Sequence, residues 1–337
     1  MPSATLLIDL YRTMSRIRAF ENAAEIASQG GVAAWGLAAN AKPALVRGPL
    51  HLSTGQEAVA VGVCKHLAHR DLLTSTHRGH GHTLAKGASV VPMMCELFGR
   101  ASGTNKGKGG SMHIADFHVG MLGANGVVAA GIPIAVGAAH ALKIKREPHI
   151  VACFFGDGAV NRGPFLEGLN WAKVYELPLL FVCEDNRISA TTPTASMTAG
   201  EGATARARSL GLEGLTVDGN DVMAVHDAAA TLIAQIRSGG GPRFLHALTY
   251  RFKGHVSVDA GTYRDAAEVE AALLSDPLTL ARSKLLALGV TAGDVDAIDA
   301  SARSEIAAAM ATAEAAPWPE PADAYHDIID TGAGTWR

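Results

Sequence analysis

Two apolar runs in this chain each stop at an acidic cluster, with room for one helix between them. "HIVACFFGDG" ends in Gly156-Asp157-Gly158, and "LPLLFVCEDN" ends in Glu184-Asp185-Asn186. Short continuous apolar runs rich in Val, Phe, Leu and Cys predict strands covered on both faces. They fall at 150–155 and 178–183, with a helix expected over 163–175. A strand, crossover helix and strand of this length make parallel neighbours with a right-handed crossover. Parallel strands deliver their C-terminal ends to one edge of the sheet, which is where open α/β sheets bind ligands. Asp157 and Asn186 should therefore converge. The expected class is α/β, a parallel sheet flanked by helices.

A carboxylate and an amide oxygen, with a backbone carbonyl nearby, are hard oxygen donors. They suit Mg²⁺, which keeps other positions for water and phosphate oxygens. Gly156 and Gly158 let the backbone approach such a phosphate, and the following helix offers N–H donors at its start. A lone Gly-Asp-Gly is as readily a plain turn; Asn186 at the end of the next strand tips the reading toward a site. Other phosphate sites fail on spelling. A dinucleotide fingerprint needs a third glycine where Asn161 stands, and no P-loop surrounds Lys106 or Lys108.

The rest of the chain is read more coarsely. Residues 5–29 have helical spacing through Leu6, Leu10, Met14, Ile17, Phe20 and Ala24. Residues 30–50 are Gly-, Ala- and Pro-rich and read as a surface loop. A second helix is expected over 56–69, a short strand at 71–76, a Gly/His-rich loop "THRGHGH", and a helix near 90–99. Residues 102–126 carry too much glycine for a regular element, and so long a stretch inside a compact chain points to function. A helix of small residues is expected over 129–143, with Pro133 in its first turn. Strand, helix and strand follow at 214–217, 222–238 and 243–250; Ala-rich helices occupy about 266–315, and 317–325 reads as an extended tail.

The formal net charge of −3 argues against a nucleic-acid binder. No run of 18 apolar residues marks a membrane span. Cys64, Cys153 and Cys183 lie in apolar runs, Cys95 forms no Cys-x-x-Cys, and no leader sequence is visible. A cytoplasmic protein is expected.

"GDGAVNRGPFLEGLNWAKVYELPLLFVCEDN" resembles the thiamine-diphosphate motif, in which GDG is followed after 27 residues by Asn. "HLSTGQEAVAVGVC", "STHRGHGHTLAKG", "ELFGRASGTNKGKGGSMHIAD", "GMLGANGVV" and "YRFKGHVSVDAGTYRD" extend the likeness over about residues 5–330. The chain resembles the α subunit of the E1 component of 2-oxo-acid and acetoin dehydrogenase complexes. It is accordingly read as a single unit, 1–337, with a helical C-terminal part at about 266–330.

The resemblance implies a thiamine-diphosphate-dependent oxidoreductase that cleaves a 2-oxo acid or acetoin and passes the acyl group to a lipoyl-bearing E2. Asp157, Asn186 and the carbonyl of Ile188 would hold Mg²⁺. Gly158, Ala159, His77 and Arg78 would meet the diphosphate, since a guanidinium binds phosphate oxygens bidentately. Gly126 and Val128 would meet the aminopyrimidine ring. Taken without the resemblance, Val127 and Val128 read simply as core. His51 would face the substrate channel. His255, on a loop beside the cofactor, would both contact it and pass protons. His77 stands where pyruvate-type members often have Tyr, which with "GMLGANGVV" points toward the acetoin branch; a branched-chain type is the alternative.

The implied assembly is an α₂β₂ heterotetramer. In that family the glutamate facing the pyrimidine nitrogen comes from the β subunit, so Glu57 and Glu167 here read as structural. Two other classes fit the sequence less well. His77, His80 and His82 suggest a zinc hydrolase, but two-residue spacing in a Gly-rich loop suits a tetrahedral site poorly. A non-catalytic assembly subunit is disfavoured by the intact diphosphate residues. Three departures stand out: Asp185 where Asn is common, a longer segment at 33–47 ahead of His51, and Val256 in place of a regulatory serine, with Ser257 beside it.

Overall fold

The computed structural model describes residues 3–29 and 43–327. Most of the loop expected at 30–50, and residues 33–42 of the longer segment, lie outside the described residues.

Six parallel strands form the sheet: β1 (Leu72–Thr74), β2 (Met121–Gly123), β3 (Val151–Gly156), β4 (Leu179–Asp185), β7 (Glu213–Asp218) and β8 (Arg243–Leu248). Their order is β2-β1-β3-β4-β8-β7. From β1 the chain runs outward to β2, then returns to place β3 on β1's other side. That reversal opens a crevice at the strand ends, the favoured ligand position in such sheets.

Alternation along β3 and β4 explains why their sequences carry no polar face. Val151, Cys153, Phe155, Leu179, Phe181 and Cys183 point into one core. Helices α5 (Gly131–Lys145), α6 (Gly163–Val174) and α7 (Gly202–Ser209) cover it. Ala152, Phe154, Leu180 and Val182 point into the other, under α2 (Glu57–Cys64) and α8 (Val222–Arg237). A third layer joins α1 (Ala4–Ser28), α4 (Val90–Leu97), α10 (Pro277–Ala287) and α11 (Ala292–Ala315) around Leu7, Met14, Phe20 and Ile306. The first of the C-terminal helices is α9 (Ala266–Leu273). Asp299 ties α11 back to α1 through Ser15 Oγ at 2.6 Å and Tyr11 Oη at 3.0 Å.

Several expectations need correction. The second helix ends at Cys64 rather than near 69. The Gly/His-rich loop contains a helix, α3 (His80–Ala85). Its Gly81 packs so tightly that an added Cβ would meet Ser53 Oγ at 2.9 Å, so the glycine serves close approach rather than a turn. The 102–126 stretch contains β2 and two 3₁₀ turns. The small hairpin of β5 (Ile188–Ser189) and β6 (Thr192–Pro193), and α7, were not anticipated. The tail at 317–325 ends in a 3₁₀ turn, Pro321–Tyr325.

The Gly-rich stretch is held by one buried acid. Glu96, fully buried on α4, accepts from the backbone N–H groups of Asn105, Gly107, Gly109 and Gly110 at 2.7–3.0 Å. Buried carboxylates require this kind of compensation. Glycine allows the chain to fold around a single carboxylate; Gly107 and Gly110 both have positive φ. Among the described residues no helix is long and apolar enough to cross a membrane.

Candidate active site

A cavity of about 230 Å³ opens at the C-terminal ends of β1, β2, β3 and β4. The residues read from the sequence as meeting cofactor, metal or substrate all line it. Asp157, Gly158 and Ala159 follow β3, and Asn186 and Ile188 follow β4. His77 and Arg78 follow β1, Gly126 and Val128 follow β2, and His51 and His255 close the far wall.

The oxygen donors come from two strand ends. Asp157 opens a 3₁₀ turn, Asp157–Asn161, that leads into α6. Its carboxylate is buried and accepts the Thr194 hydroxyl on its Oδ2. Burial lifts its pKa from 3.8 to about 6. An anion held there without a neutralising cation is costly, and a bound divalent ion removes that cost. Asn186 is oriented by its neighbours: Nδ2 donates to Gln56 Oε1 at 3.2 Å, and Oδ1 accepts from Ile188 N at 3.2 Å. The donor set, a carboxylate with amide and carbonyl oxygens, fits Mg²⁺. Gly158 is also constrained by packing. A Cβ there would run into the Ser189 side chain, so the glycine lets the hairpin turn close over β3's end.

Arg78 is buried, and burial lowers its pKa to about 9, which leaves it charged at neutral pH. Nη1 donates to Leu52 O at 2.9 Å and Nη2 to His255 O at 2.8 Å. The guanidinium thus ties the His255 loop to the strand end. Val127 and Val128 are 65% and 45% exposed, which overturns their reading as core. Solvent-facing valines beside a cavity are available to an apolar ring. Next to them Ala129 has φ 73°, a left-handed conformation that a residue with a Cβ rarely adopts.

Three imidazoles meet on the far wall. The rings of His51 and His77 are 4.5 Å apart, His51 and His255 4.9 Å, and His77 and His255 5.8 Å. Burial first, then the neighbouring positive groups, depresses their pKa values to about 2, about 3 and about 4 for His51, His77 and His255. All three are neutral near pH 7. His80 and His82 point elsewhere. His80 Nδ1 meets Glu21 Oε2 at 2.8 Å and its Nε2 meets Ser111 Oγ at 2.9 Å. His82 Nε2 meets Glu184 Oε1 at 3.0 Å and its Nδ1 meets Ser75 Oγ at 2.8 Å. The His77, His80 and His82 zinc set is therefore not assembled.

Sequence reading missed several lining residues, Glu184, Gln56 and Arg251 among them. Glu184 and Gln56 are buried in the cavity wall; Arg251, also buried, holds the hairpin through Ala190 O at 3.1 Å and the loop through Tyr263 Oη at 2.8 Å. Glu184 carried a visible signal, an acid closing a buried strand, but was overshadowed by Asn186 two residues on. Gln56 and Arg251 carried none, since their partners are remote in sequence.

Of the departures, Asp185 acquires a local explanation. Asp185 is engaged sideways: Oδ2 lies 2.8 Å from His246 Nε2 on β8, and Oδ1 accepts from Arg187 N at 2.9 Å. Hydrogen bonds from His246 and Arg187 outweigh burial and hold its pKa below the usual value. Glu57 is fully buried in a fork with Arg18, at 2.5 and 3.0 Å, and accepts Gly55 N at 2.9 Å, which agrees with a structural role. Glu167 is exposed on α6. Ser257 donates its N–H to Leu50 O at 2.8 Å, and its hydroxyl meets Ser28 Oγ at 2.9 Å.

A family model described as "Dehydrogenase E1 component" matches residues 37–322. The acetoin:2,6-dichlorophenolindophenol oxidoreductase α subunit of Bacillus subtilis is 42% identical over 95% of this chain and 92% of its own length. The protein of the same name from Cupriavidus necator is 42% identical over 96% and 93%. The pyruvate dehydrogenase E1 component α subunit of Zymomonas mobilis is 37% identical over 96% and 88%. With nearly the whole chain matched, this protein belongs to the dehydrogenase E1 component family, among its α-subunit oxidoreductases.

Proposed function

We propose that this chain is the α subunit of a cytoplasmic, thiamine-diphosphate- and Mg²⁺-dependent E1 enzyme of the acetoin or pyruvate type. Residues 1–337 form one cofactor-binding unit with a helical C-terminal part at about 266–330. The observation that carries the reading is the convergence of Asp157, Asn186 and Ile188 on one wall of a cavity at a sheet switch point. Family membership implies thiamine diphosphate; the oxygen donor set supports Mg²⁺ beside it.

The thiazolium, when bound, supplies an electron sink for the carbon–carbon cleavage. The chain's own residues do the rest. Asp157 supplies the full negative charge, with Asn186 Oδ1 and the Ile188 carbonyl as neutral donors. Gly158 and Ala159 offer backbone to the diphosphate, and His77 and Arg78 face it from β1. Gly126 and Val128 bear on the pyrimidine ring. His51 and His255 orient the substrate, and a neutral imidazole at His255 can accept or return a proton at the reacting carbon's substituents.

The acetoin type is favoured over pyruvate by His77 and by the names of the two relatives at 42% identity. A β subunit and a lipoyl E2 are the proposed partners, in an α₂β₂ arrangement. Exposed apolar side chains on α5 and α6 support a protein partner there: Ile134, Ile144, Leu166, Trp171 and Val174 are 46–72% exposed. Pro133, Gly137 and Trp171 line a groove between the two helices. Calorimetric titration of thiamine diphosphate with Mg²⁺ tests the reading. Asp157→Ala should abolish Mg²⁺-dependent binding and Asn186→Ala should weaken it less; wild-type affinity in Asp157→Ala would refute the assignment.

A further inference from the structure

His51, His77 and His255 arrive from three separate segments, and none is needed to satisfy another's hydrogen bonds. One ring nitrogen from each lies within 4.8 Å of the other two. His51 Nδ1 is buried and has no hydrogen-bond partner among the described residues. His255 Nδ1 faces Arg78 Nη2 at 3.3 Å, which leaves its Nε2 free for another partner. Burial keeps all three rings in the neutral form that binds metals.

We propose that His51, His77 and His255 form a binding site for a divalent transition ion of the zinc class, separate from the oxygen set of Asp157, Asn186 and Ile188. The two sets differ in chemistry. Imidazole nitrogens select Zn²⁺, Ni²⁺ and Cu²⁺, whereas Mg²⁺ takes oxygen donors. Three imidazoles with an open fourth position make a recognised zinc arrangement. At Zn–N distances of about 2.0–2.1 Å, tetrahedral ligand atoms stand roughly 3.3 Å apart, so the rings must draw in by about 1.5 Å at most. Side-chain torsions can supply that, helped by the irregular loop that carries His255. The surrounding charge is mixed. Arg78 and Arg251 oppose a cation, and Asp259 favours one, holding His255 N at 2.6 Å. Micromolar rather than nanomolar affinity is expected.

An ion here would compete with the diphosphate at His77 and with the donor molecule at His51 and His255. That consequence rests on the proposed function; the binding itself does not. The full chain, freed of cofactor and stripped with a chelator, is titrated with Zn²⁺ by calorimetry and with Co²⁺ by visible absorption. One saturable ion per chain is expected, with absorption bands of a low-coordinate nitrogen site. Losing an outer-shell partner alone costs 10–100-fold in affinity, so losing a ligand in His77→Phe should weaken Zn²⁺ binding by roughly 100-fold or more. Asp157→Asn should bind Zn²⁺ as wild type does while losing Mg²⁺-dependent cofactor binding. His255→Gln repeats the ligand test should His77→Phe fail to fold, with thermal melts as the check. The proposal is overturned by no saturable ion, by unchanged Zn²⁺ binding in folded His77→Phe or His255→Gln, or by loss of Zn²⁺ binding in Asp157→Asn.

Discussion

Asp157→Asn should stabilise the cofactor-free protein while destroying its metal site. Asp157 is 4% exposed, and burial raises its pKa from 3.8 to about 6, with the Thr194 hydroxyl opposing the rise and Asp185 adding to it. A change of that size corresponds to about 3 kcal/mol. The sign follows from proton binding. Below about pH 4 the carboxyl is protonated in both folded and unfolded chains, and its contribution vanishes. Between about pH 4 and about pH 6 the unfolded chain releases the proton first, so stability falls as pH rises. Above about pH 6 the full penalty applies. Asparagine keeps the shape and still accepts from Thr194, but it carries no charge. The variant should therefore match wild type near pH 4 and exceed it by up to about 3 kcal/mol at pH 8, roughly 5 °C in melting temperature for a chain of this size. Thermal melts of chelator-treated protein across that range measure it. With thiamine diphosphate and Mg²⁺ added the order should reverse, because ligand binding stabilises only the wild type. A variant that melts lower than wild type at pH 8, or differs from it equally at every pH, would refute the reasoning.

Other substitutions separate chemistry from scaffold. His255→Ala should lower kcat by roughly 100-fold with cofactor affinity little changed, as measured by steady-state kinetics with a lipoylated acceptor; unchanged kcat would remove His255 from the catalytic residues. Glu57→Ala breaks a buried fork with Arg18 and should lower stability by about 3–5 kcal/mol in denaturant melts. Lost turnover at unchanged stability would instead mark Glu57 as a catalytic acid of this chain.

The site was legible largely because it sits at strand ends. Two apolar runs with room for one crossover helix between them placed Asp157 and Asn186 on one edge. The nearly complete motif set then supplied His51, His77, Gly126 and Val128, which no periodicity could have linked. What escaped was written in long-range partners. Glycine suggested loop at "HGHTLA", yet Gly81 is helical and its missing Cβ makes room for Ser53. The glycines of 103–110 suggested a site of their own, yet much of their pattern serves to wrap Glu96. Asp185 stood out as a departure from the common Asn, whereas His246, on a strand paired with β4, takes up its carboxylate. In each case the deciding contact joins residues that no local pattern connects.

The central claim is that this chain supplies one half of a two-chain thiamine-diphosphate site. It is tested by assaying the purified chain with thiamine diphosphate, Mg²⁺ and an artificial electron acceptor, alone and with a β partner, against acetoin, pyruvate and branched-chain 2-oxo acids. The account predicts no sustained turnover by the chain alone and turnover on adding the partner, with acetoin the preferred substrate. Sustained turnover by the isolated chain would contradict it.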